Sequence, residues 1–425
     1  MRNLLPRSLL DVGVGVGLLL RNLAPSVEAY LGIDVSQTAL AAAKQSLSTV
    51  EHAQCRVELI HGDAGELSSV TTGAADTVVI NSVIQYFPSS EYLERVVTEA
   101  ARVVSPHGQV FIGDVRHLGL LEAFHATVQL EKAAPLTTAA ELINNIARNV
   151  KEEGELCLAP GHFIELANRL GGFSETRIEL KRGHAINELT TFRYDVSLIG
   201  RAKPQPHEPG VSRAWGSPEQ PASLAALEQS LSRIGQAPLT VTGITNLRLV
   251  KPLALLRLLA EMPSSTIAWE LQRQLWLVED PHALNPEDIA SLAERMGLEV
   301  RLLMPEQERM DRFDAYFSLP TPRTQPQNER MFSPQPCPWS KPLEYVDTNQ
   351  QPPRVYHSVG PAHPVAPVRP ATPACRDAAL AFRAAGRVTQ AAQWQSGSQT
   401  PACDRIDPGG PRHGRAGLPA ARYCG

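Results

Sequence analysis

Short apolar runs alternate with longer amphipathic segments from Leu9 to about Gly200. The runs end at Gly, Asp or Asn, which predicts buried β-strands, and the segments between them carry apolar residues at helical spacing. This rhythm is typical of an α/β fold with a mostly parallel, doubly wound sheet. The predicted strands are Ser8–Val12, Ala29–Asp34, Arg56–His61, Asp76–Asn81, Gly108–Asp114 and Phe192–Ile199, and the predicted helices include Gln37–Leu47 and Glu91–Val104.

The same patterning divides the chain into parts. We predict a core domain over residues 1–203 with a helical insertion at about 120–170, a linker over 204–222 and a smaller α/β part over 223–320, which either completes the first domain or stands alone. In this second part the predicted strands are Ala237–Thr242, Gln274–Val278 and Glu299–Leu303, and the predicted helices are Leu224–Ile234, Lys251–Glu261 and Pro286–Met296.

The last segment, residues 351–425, has a different composition. It holds nine Arg, eleven Pro and three Asp but no Lys or Glu. Such a composition predicts a low-complexity, disordered tail. A natural Pro/Ala/Arg-rich segment and a GC-rich gene read in a shifted frame both account for it.

Overall composition is that of an ordinary globular chain, with 43% hydrophobic and 20% charged residues among 425. A net charge of −4 provides no basic field for nucleic acid, and no apolar run is long enough for a membrane helix. The N-terminal segment has basic residues followed by an apolar run, as a secretory signal peptide does, but Asp11 and three glycines interrupt the apolar run. Six scattered cysteines indicate neither a disulfide framework nor a metal site, so we expect a cytoplasmic protein without a metal.

A glycine-rich loop follows the first predicted strand. Asp11 precedes Gly13, Gly15 and Gly17, which are spaced by two residues. Glycine allows a tight turn and the close approach of a ligand, but a dinucleotide loop places its third glycine one residue later. A carboxylate here repels a phosphate and suits a ligand with an amino group and a sulfonium. This combination indicates S-adenosylmethionine.

Carboxylates also stand at the ends of the next two strands. Asp34 ends the second strand, where it is placed to accept both ribose hydroxyls, and Asp63, followed by Ala64, is placed to accept the adenine amino group. Ligands of open parallel sheets bind at the carboxyl ends of the strands. Asn81, at the end of the fourth strand, is a further predicted cofactor contact, and Tyr86 after it is a candidate for the acceptor site.

Four sequence blocks resemble one family. They are Asp11-x-Gly13-x-Gly15-x-Gly17, Asn81–Pro88 (NSVIQYFP), Gly113–Arg116 (GDVR) and Asn187–Tyr194 (NELTTFRY). Together they resemble the Rossmann-like class I methyltransferase domains embedded in the adenylation domains of nonribosomal peptide synthetases, and the likeness covers about residues 8–320. Tyr345–Asn349 resembles the point where adenylation sequence resumes, which makes 321–350 a residual linker.

The resemblance implies N-methylation of an aminoacyl thioester held on a carrier protein, with neighbouring synthetase modules as partners. Glu188 is then the first choice to stabilise the developing ammonium and relay its proton, and Asn187 to orient the amine. Arg116 binds the thioester carbonyl or pairs with Asp114, and Tyr86 caps the acceptor pocket. This interpretation predicts no metal site and no membrane or nucleic-acid partner.

Other functions remain open at the level of the sequence. The same scaffold serves O- or C-methyltransferases of secondary metabolism, and carbon methylation calls for a positioned base such as His125, His162 or His184. A third alternative is an inactive, truncated synthetase remnant that only binds the cofactor.

Overall fold

A computed structural model describes residues 6–48, 55–65, 67–200, 210–235, 237–304 and 309–320. Within these residues twelve strands form one sheet, in the order β3-β2-β1-β4-β5-β8-β7-β11-β12-β10-β9, with β6 paired to β5. The strands are β1 Ser8–Val12, β2 Ala29–Asp34, β3 Arg56–His61, β4 Ala75–Asn81, β5 Val104–His117, β6 Cys157–Leu158, β7 Phe173–Leu180, β8 Arg193–Gly200, β9 Val211–Ala214, β10 Leu239–Thr245, β11 Glu299–Leu303 and β12 Arg312–Ser318.

The leading five strands are parallel, with β1 at their centre. Leu10 pairs with Leu31 on β2 and with Val78 on β4, so β1 is hydrogen-bonded on both sides. Both faces of this sheet are covered, which explains why its strands read as continuous apolar runs. The carboxyl ends of all five strands therefore lie along one edge.

Helices follow from amphipathic segments with recognisable caps. Ser36 accepts the backbone N–H of Ala39, Ser89 that of Tyr92, and Thr138 forms a capping box with Glu141. The helices are α1 Leu18–Leu23, α2 Gln37–Leu47, α3 Ser90–Val103, α4 Leu121–Lys132, α5 Ala139–Lys151, α6 Pro160–Leu170, α7 Glu188–Phe192, α8 Leu224–Leu231, α9 Leu247–Glu261, α10 Ala268–Trp276 and α11 Pro286–Arg295.

The helical insertion packs on the C-terminal part of the chain. Buried residues of α4 and α5, including Leu130, Leu142 and Ile146, share one apolar cluster with Leu255 of α9 and Leu271 of α10. The insertion and the C-terminal helices are thus joined by a common core, which gives them a fixed relation to each other.

The C-terminal α/β part continues the sheet. Strand β11 meets β7 at the pair Leu303 and Glu179, and β12, β10 and β9 follow outward. This part keeps a core of its own, with Phe313, Phe317 and Leu292 fully buried. This part therefore extends the sheet and also keeps a separate buried core.

Several predictions need correction. The α/β class is confirmed, but β7, β8 and the C-terminal strands add more antiparallel pairing than expected. The predicted linker contains β9, because Val211–Ala214 pairs with β10. The predicted strand Gln274–Val278 is wrong, since α10 runs to Trp276 and buries Ala268 and Leu271 at helical spacing. Strand β7 was not predicted because only Phe173, Ile178 and Leu180 of its eight residues are apolar, which gives neither an apolar run nor a regular alternation.

Some predictions fall outside the described residues. These are the residual linker over 321–350 and the disordered tail over 351–425. In the part of the chain that is described, no helix has the length and apolarity that crossing a bilayer requires. The same residues contain no cluster of His, Cys, Asp and Glu with the geometry of a metal site.

Candidate functional site

The glycine loop turns through the left-handed region at each of its three glycines. The φ angles are 84° at Gly13, 56° at Gly15 and 83° at Gly17. A Cβ on Gly13 would lie 2.8 Å from Cγ2 of Val83, and one on Gly17 would lie 3.0 Å from Cα of Ala43. A Cβ on Gly15 would meet nothing within 4 Å. The loop therefore presents open space above Gly15, as a ligand cradle requires.

Asp34 joins the end of β2 to this loop. Its Oδ2 accepts the backbone N–H of Gly15 at 2.7 Å, and its Oδ1 accepts that of Ser36 at 2.8 Å. A carboxylate offers about four lone-pair sites, so two remain for hydroxyl donors. Asp34 lies where the sequence predicts a ribose contact.

Asp63 and Ala64 follow the neighbouring strand. The backbone N–H of Gly62 donates to the carbonyl of Asp34 at 3.1 Å, which keeps the ends of β2 and β3 together. Oδ1 of Asp63 accepts the Gly65 N–H at 2.7 Å and the hydroxyl of Tyr92. The predicted adenine-side residues are thus half-buried beside Asp34, and Asp63 also closes a local turn.

Asp11 is not part of this exposed rim, which corrects the prediction that it holds the charged cofactor. Its side chain is only 1% exposed, and it accepts the hydroxyl of Tyr30. Burial raises the pKa of Asp11 to about 6, although the Tyr30 hydrogen bond opposes the shift and the nearby Asp34 adds to it. Asp11 is buried because β1 lies at the centre of the parallel sheet, where both faces of the sheet are covered.

Backbone strain occurs just after β4 and within β5. Ser82, after β4, has φ 57°, and Asp114, in β5, has φ 70°; these are left-handed conformations at non-glycine residues. The Ser82 N–H donates to the carbonyl of Gly113 at 3.2 Å. The side chain of Asn81 occupies the space beside Gly113, where a Cβ would lie 2.1 Å from its Oδ1. Such strained positions concentrate at functional sites.

A chain of hydrogen bonds leads from Asn81 to Glu188. Nδ2 of Asn81 donates to Oγ of Ser82 at 3.0 Å, and that hydroxyl donates to Oδ2 of Asp114 at 3.1 Å. Arg193 donates to the same Oδ2 at 2.8 Å and, through its other terminal nitrogen, to Oε1 of Glu188. The predicted cofactor residue and the predicted proton acceptor are therefore physically connected.

Glu188 opens helix α7 and faces a cleft of about 790 Å³ between this helix, α4 and α9. Its side chain is 43% exposed. Asn187 also lines the cleft, but its Oδ1 accepts the Thr190 N–H at 3.2 Å as a helix cap, so its predicted amine contact must share that oxygen. Apolar walls come from Phe124, Val128, Ile186, Leu247, Val250 and Pro252.

Arg116 does not pair with Asp114, and this alternative is wrong. Its terminal nitrogen lies 3.0 Å from Glu153 and 2.9 Å from Glu155, and its guanidinium stacks 5.0 Å from the centroid of the Phe124 ring. Arg193, which no sequence argument singled out, takes the place beside Asp114. Arg116 still lines a small pocket together with Glu188, so its predicted contact with a carbonyl stays a prediction.

Tyr86 belongs to a short turn after β4 and is 71% exposed. An exposure this large excludes a half-buried packing role for the ring, the bland explanation of a tyrosine at this position. Its predicted role as a cap over the acceptor remains a prediction.

His117 is a site residue that sequence reasoning missed. It ends β5, is 6% exposed, and lines the small pocket that Glu188 and Arg193 share. Its Nδ1 accepts the Gly119 N–H at 3.0 Å, and burial lowers the pKa of His117 to about 4. Ser82 and Arg193 lie within the blocks Asn81–Pro88 and Asn187–Tyr194, but the blocks do not indicate their roles, which, like that of His117, arise from contacts between strands that meet only in the fold.

Comparisons with known proteins identify a methyltransferase domain in the leading part of the chain. Residues 10–112, which span the glycine loop and the leading strands, match the family described as "Methyltransferase domain". Chondramide synthase cmdD of Chondromyces crocatus is 31% identical over 345 residues, covering 80% of this chain. The probable non-canonical nonribosomal peptide synthetase CymA of Salinispora arenicola is 34% identical over 256 residues, covering 60% of this chain.

The chain spans only a small part of these relatives, 8% of the first and 3% of the second. Among solved structures, a SAM-dependent methyltransferase from Methanosarcina mazei is 16% identical with a TM-score of 0.35, over 47% of this chain and 95% of that one.

Proposed function

We propose that this chain, which carries a class I S-adenosylmethionine-dependent methyltransferase domain related to parts of nonribosomal peptide synthetases, methylates the α-amine of an aminoacyl thioester. One observation carries the proposal. The hydrogen-bonded chain from Asn81 through Asp114 and Arg193 ends on Glu188, at the mouth of a cleft large enough for an acyl chain. In the proposal, this carboxylate is the group beside which an amine approaches the methyl donor.

The glycine loop fits the cofactor. The open space above Gly15 and the free lone pairs of Asp34 offer a cradle and two hydroxyl acceptors, and Asp63 stands at the next strand end. When bound, S-adenosylmethionine supplies an electrophilic methyl group on a positively charged sulfur. Asn81 lies at the start of the connection to the acceptor side, which supports its assignment to this site.

Glu188 is suited to receive the proton that an α-ammonium must lose. Arg193 engages its Oε1, and within the described residues no group donates to its Oε2. Transfer of the proton to Oε2 frees the nitrogen lone pair that methyl transfer needs. The exposed side chain then releases this proton to solvent, and the regenerated carboxylate stabilises the charge that returns to the nitrogen. Arg193 and Asp114 keep that carboxylate in one orientation.

The cleft also suits an amine by its charge. Glu131, Glu188, Glu279 and Asp280 line it, against Lys251 and the buried Arg248. An excess of carboxylates favours a protonated amine, while the apolar walls accept the rest of an acyl chain. The synthetase relatives make a carrier-bound aminoacyl group the proposed substrate and a carrier protein the proposed partner.

Carbon methylation finds no support in the cleft. Among the described residues that line it there is no histidine. His125 is bound to Glu153 at 3.1 Å, and His162 lies 3.9 Å from Glu94 on another face. A hydroxyl acceptor would use Glu188 in the same way as an amine, so the experiment must separate the two.

The test has two steps on the full chain. Calorimetry with S-adenosylmethionine should show binding, and mass spectrometry should then show a gain of one methyl group on aminoacyl pantetheine thioesters but not on matched hydroxyacyl thioesters. Methylation of the hydroxyacyl series alone would make the chain an O-methyltransferase. A chain that binds the cofactor but methylates neither series would support the remnant interpretation, and a monodisperse sample that binds no cofactor would contradict the proposed function.

A further inference from the structure

Helix α7 cannot hold Glu188 by itself. It has only five residues, and a helix of this length is unstable in isolation because it gains too few hydrogen bonds to offset its nucleation. Asn187 and Thr190 cap it, and the Thr190 hydroxyl also donates to the carbonyl of Ala185 at 2.6 Å. These local bonds define the helix but do not fix it against the rest of the protein.

A residue of α9, Arg248, anchors the segment that contains α7 to the rest of the protein. Arg248 is 2% exposed and donates to three backbone carbonyls of the segment that leads into and forms α7: Lys181 at 2.7 Å, Gly183 at 2.7 Å and Thr190 at 3.1 Å. Its Nε donates to Oδ1 of Asn285 at 3.1 Å. Within the described residues no carboxylate lies within ion-pair distance of this guanidinium. Its hydrogen bonds go instead to backbone carbonyls and to the Asn285 side chain, and they hold this segment in place.

Glu287 of α11 completes the anchor. It accepts two hydrogen bonds from Arg182, at 2.8 and 2.9 Å, and one from the backbone N–H of Gly183 at 2.7 Å. The Gly183 residue is therefore held through its N–H by Glu287 and through its C=O by Arg248. Its φ of 143° is a backbone conformation that favours glycine.

We infer that Arg248 is a positioning residue, through which the C-terminal part of the chain sets the location of Glu188. The inference rests on the proposed function of Glu188 as the proton acceptor. Arg248 itself is not assigned any contact with substrate. A displacement of about 1 Å at a reacting group costs on the order of 100-fold in rate, which makes such an anchor functionally decisive.

Arg248→Lys is the test variant, because an ammonium keeps the charge but cannot span three carbonyls with the planar fork of arginine. Glu287→Gln is a milder second variant that weakens the contacts of Arg182 and Gly183. Arg273→Lys serves as the matched control, since Arg273 is exposed on α10, where it pairs with Glu270 and lies 6.0 Å from the centroid of the Trp269 ring.

Hydrogen exchange of the full-length variants tests the anchor without any need for turnover. Exchange in residues 181–192 should accelerate at least about tenfold in Arg248→Lys, as expected for loss of hydrogen bonds from a charged donor. Exchange in the leading strands should stay unchanged, and Arg273→Lys should match the wild type throughout. Unchanged exchange in 181–192 for both test variants would overturn the inference.

Turnover of an aminoacyl pantetheine thioester tests the consequence. Arg248→Lys should lower kcat by about 100-fold with KM for cofactor nearly unchanged. In a Glu188→Gln background the same substitution should have almost no further effect, because both changes act through one carboxylate. Independent, multiplicative losses would contradict the inference, whereas a wild-type chain that methylates no thioester would contradict the proposed function instead.

Discussion

The glycine loop and helix α7, the two regions proposed to hold the cofactor and the proton acceptor, are held by different contacts. The loop is fixed by its neighbour strand, since Gly13 donates to the carbonyl of Ile33 at 2.8 Å and Gly15 to Asp34. Helix α7 is fixed from far along the chain, by Asp114 through Arg193 and by Arg248. A ligand cradle can thus be built from a single β-loop-β unit, whereas the proton acceptor depends on elements more than 50 residues away.

This difference separates two kinds of failure. Damage near the loop should weaken binding and leave the chemistry intact, because the acceptor side has its own supports. Damage around α7 should impair the chemistry and leave cofactor binding intact. The expected outcomes below test that separation.

The largest effect is expected at Glu188. Glu188→Gln keeps the size of the side chain but cannot take up a proton, so kcat should fall by about 1000-fold, within the range of general base catalysis. Cofactor affinity should change by less than about twofold, because the loop is untouched. Steady-state kinetics with parallel calorimetry measures both, and an equal loss of binding and turnover would show that Glu188 is structural.

The two regions should also respond to acid in opposite directions. Near α7, the folded-state pKa of His117 is lowered to about 4, so the unfolded chain binds the proton first and acidification destabilises the fold. Near the loop, the folded-state pKa of Asp11 is raised to about 6, so the folded chain binds the proton first and acidification stabilises it.

Denaturant unfolding at pH 7 and pH 5 measures this contrast. His117→Gln should remove a loss of about 2 kcal/mol that the wild type suffers on going to pH 5, and Asp11→Asn should remove a gain of about 1 kcal/mol. Parallel pH profiles for both variants and the wild type would show that neither group is buried as the structure has it.

At Asp34 we expect a smaller effect, which falls on cofactor binding and not on turnover. Asp34→Ala removes the acceptor of the Gly15 N–H and of the predicted ribose contacts, so the Kd for S-adenosylhomocysteine should rise by about tenfold to thirtyfold, as for loss of charge-assisted hydrogen bonds. At saturating cofactor kcat should stay within about threefold of wild type. A fall in kcat that saturation does not restore would break the separation of the two regions.

The smallest effect compares two glycines of the same loop. Gly15→Ala forces a left-handed alanine into open space and should cost about 1 kcal/mol of unfolding free energy. Gly17→Ala adds a clash with the backbone of Ala43 and should cost more. Gly15→Ala should nevertheless weaken cofactor binding more strongly than Gly17→Ala does, and the reverse order would place the ligand elsewhere.

Much of the first region was predictable from residues alone. The bounds of β1, β2 and β3 follow the apolar runs, and Asp34 stands at the rim as expected. The exception is Asp11: a pattern places it before the glycines but does not say which way its side chain points. Register and alternation on a central strand decided that it meets Tyr30 instead of the open side.

Around α7 the sequence indicated a residue but not its surroundings. Glu188 was singled out, whereas Arg193 was not, and Arg116 was given the partner that Arg193 holds. No local signal marks Ser82 or Asp114 as left-handed, because that conformation is imposed by the packing of β4, β5 and β8.

By itself the sequence determined the α/β class, the leading strands and the glycine loop, since periodicity and glycine chemistry act between residues close along the chain. Only the tertiary structure decided which carboxylates reach the surface, which arginine meets Asp114, and that α9 anchors α7. These choices depend on contacts between residues that lie about 50 to 100 positions apart in the chain. Burial and hydrogen-bond geometry select among residues of the same type, which the sequence alone does not distinguish.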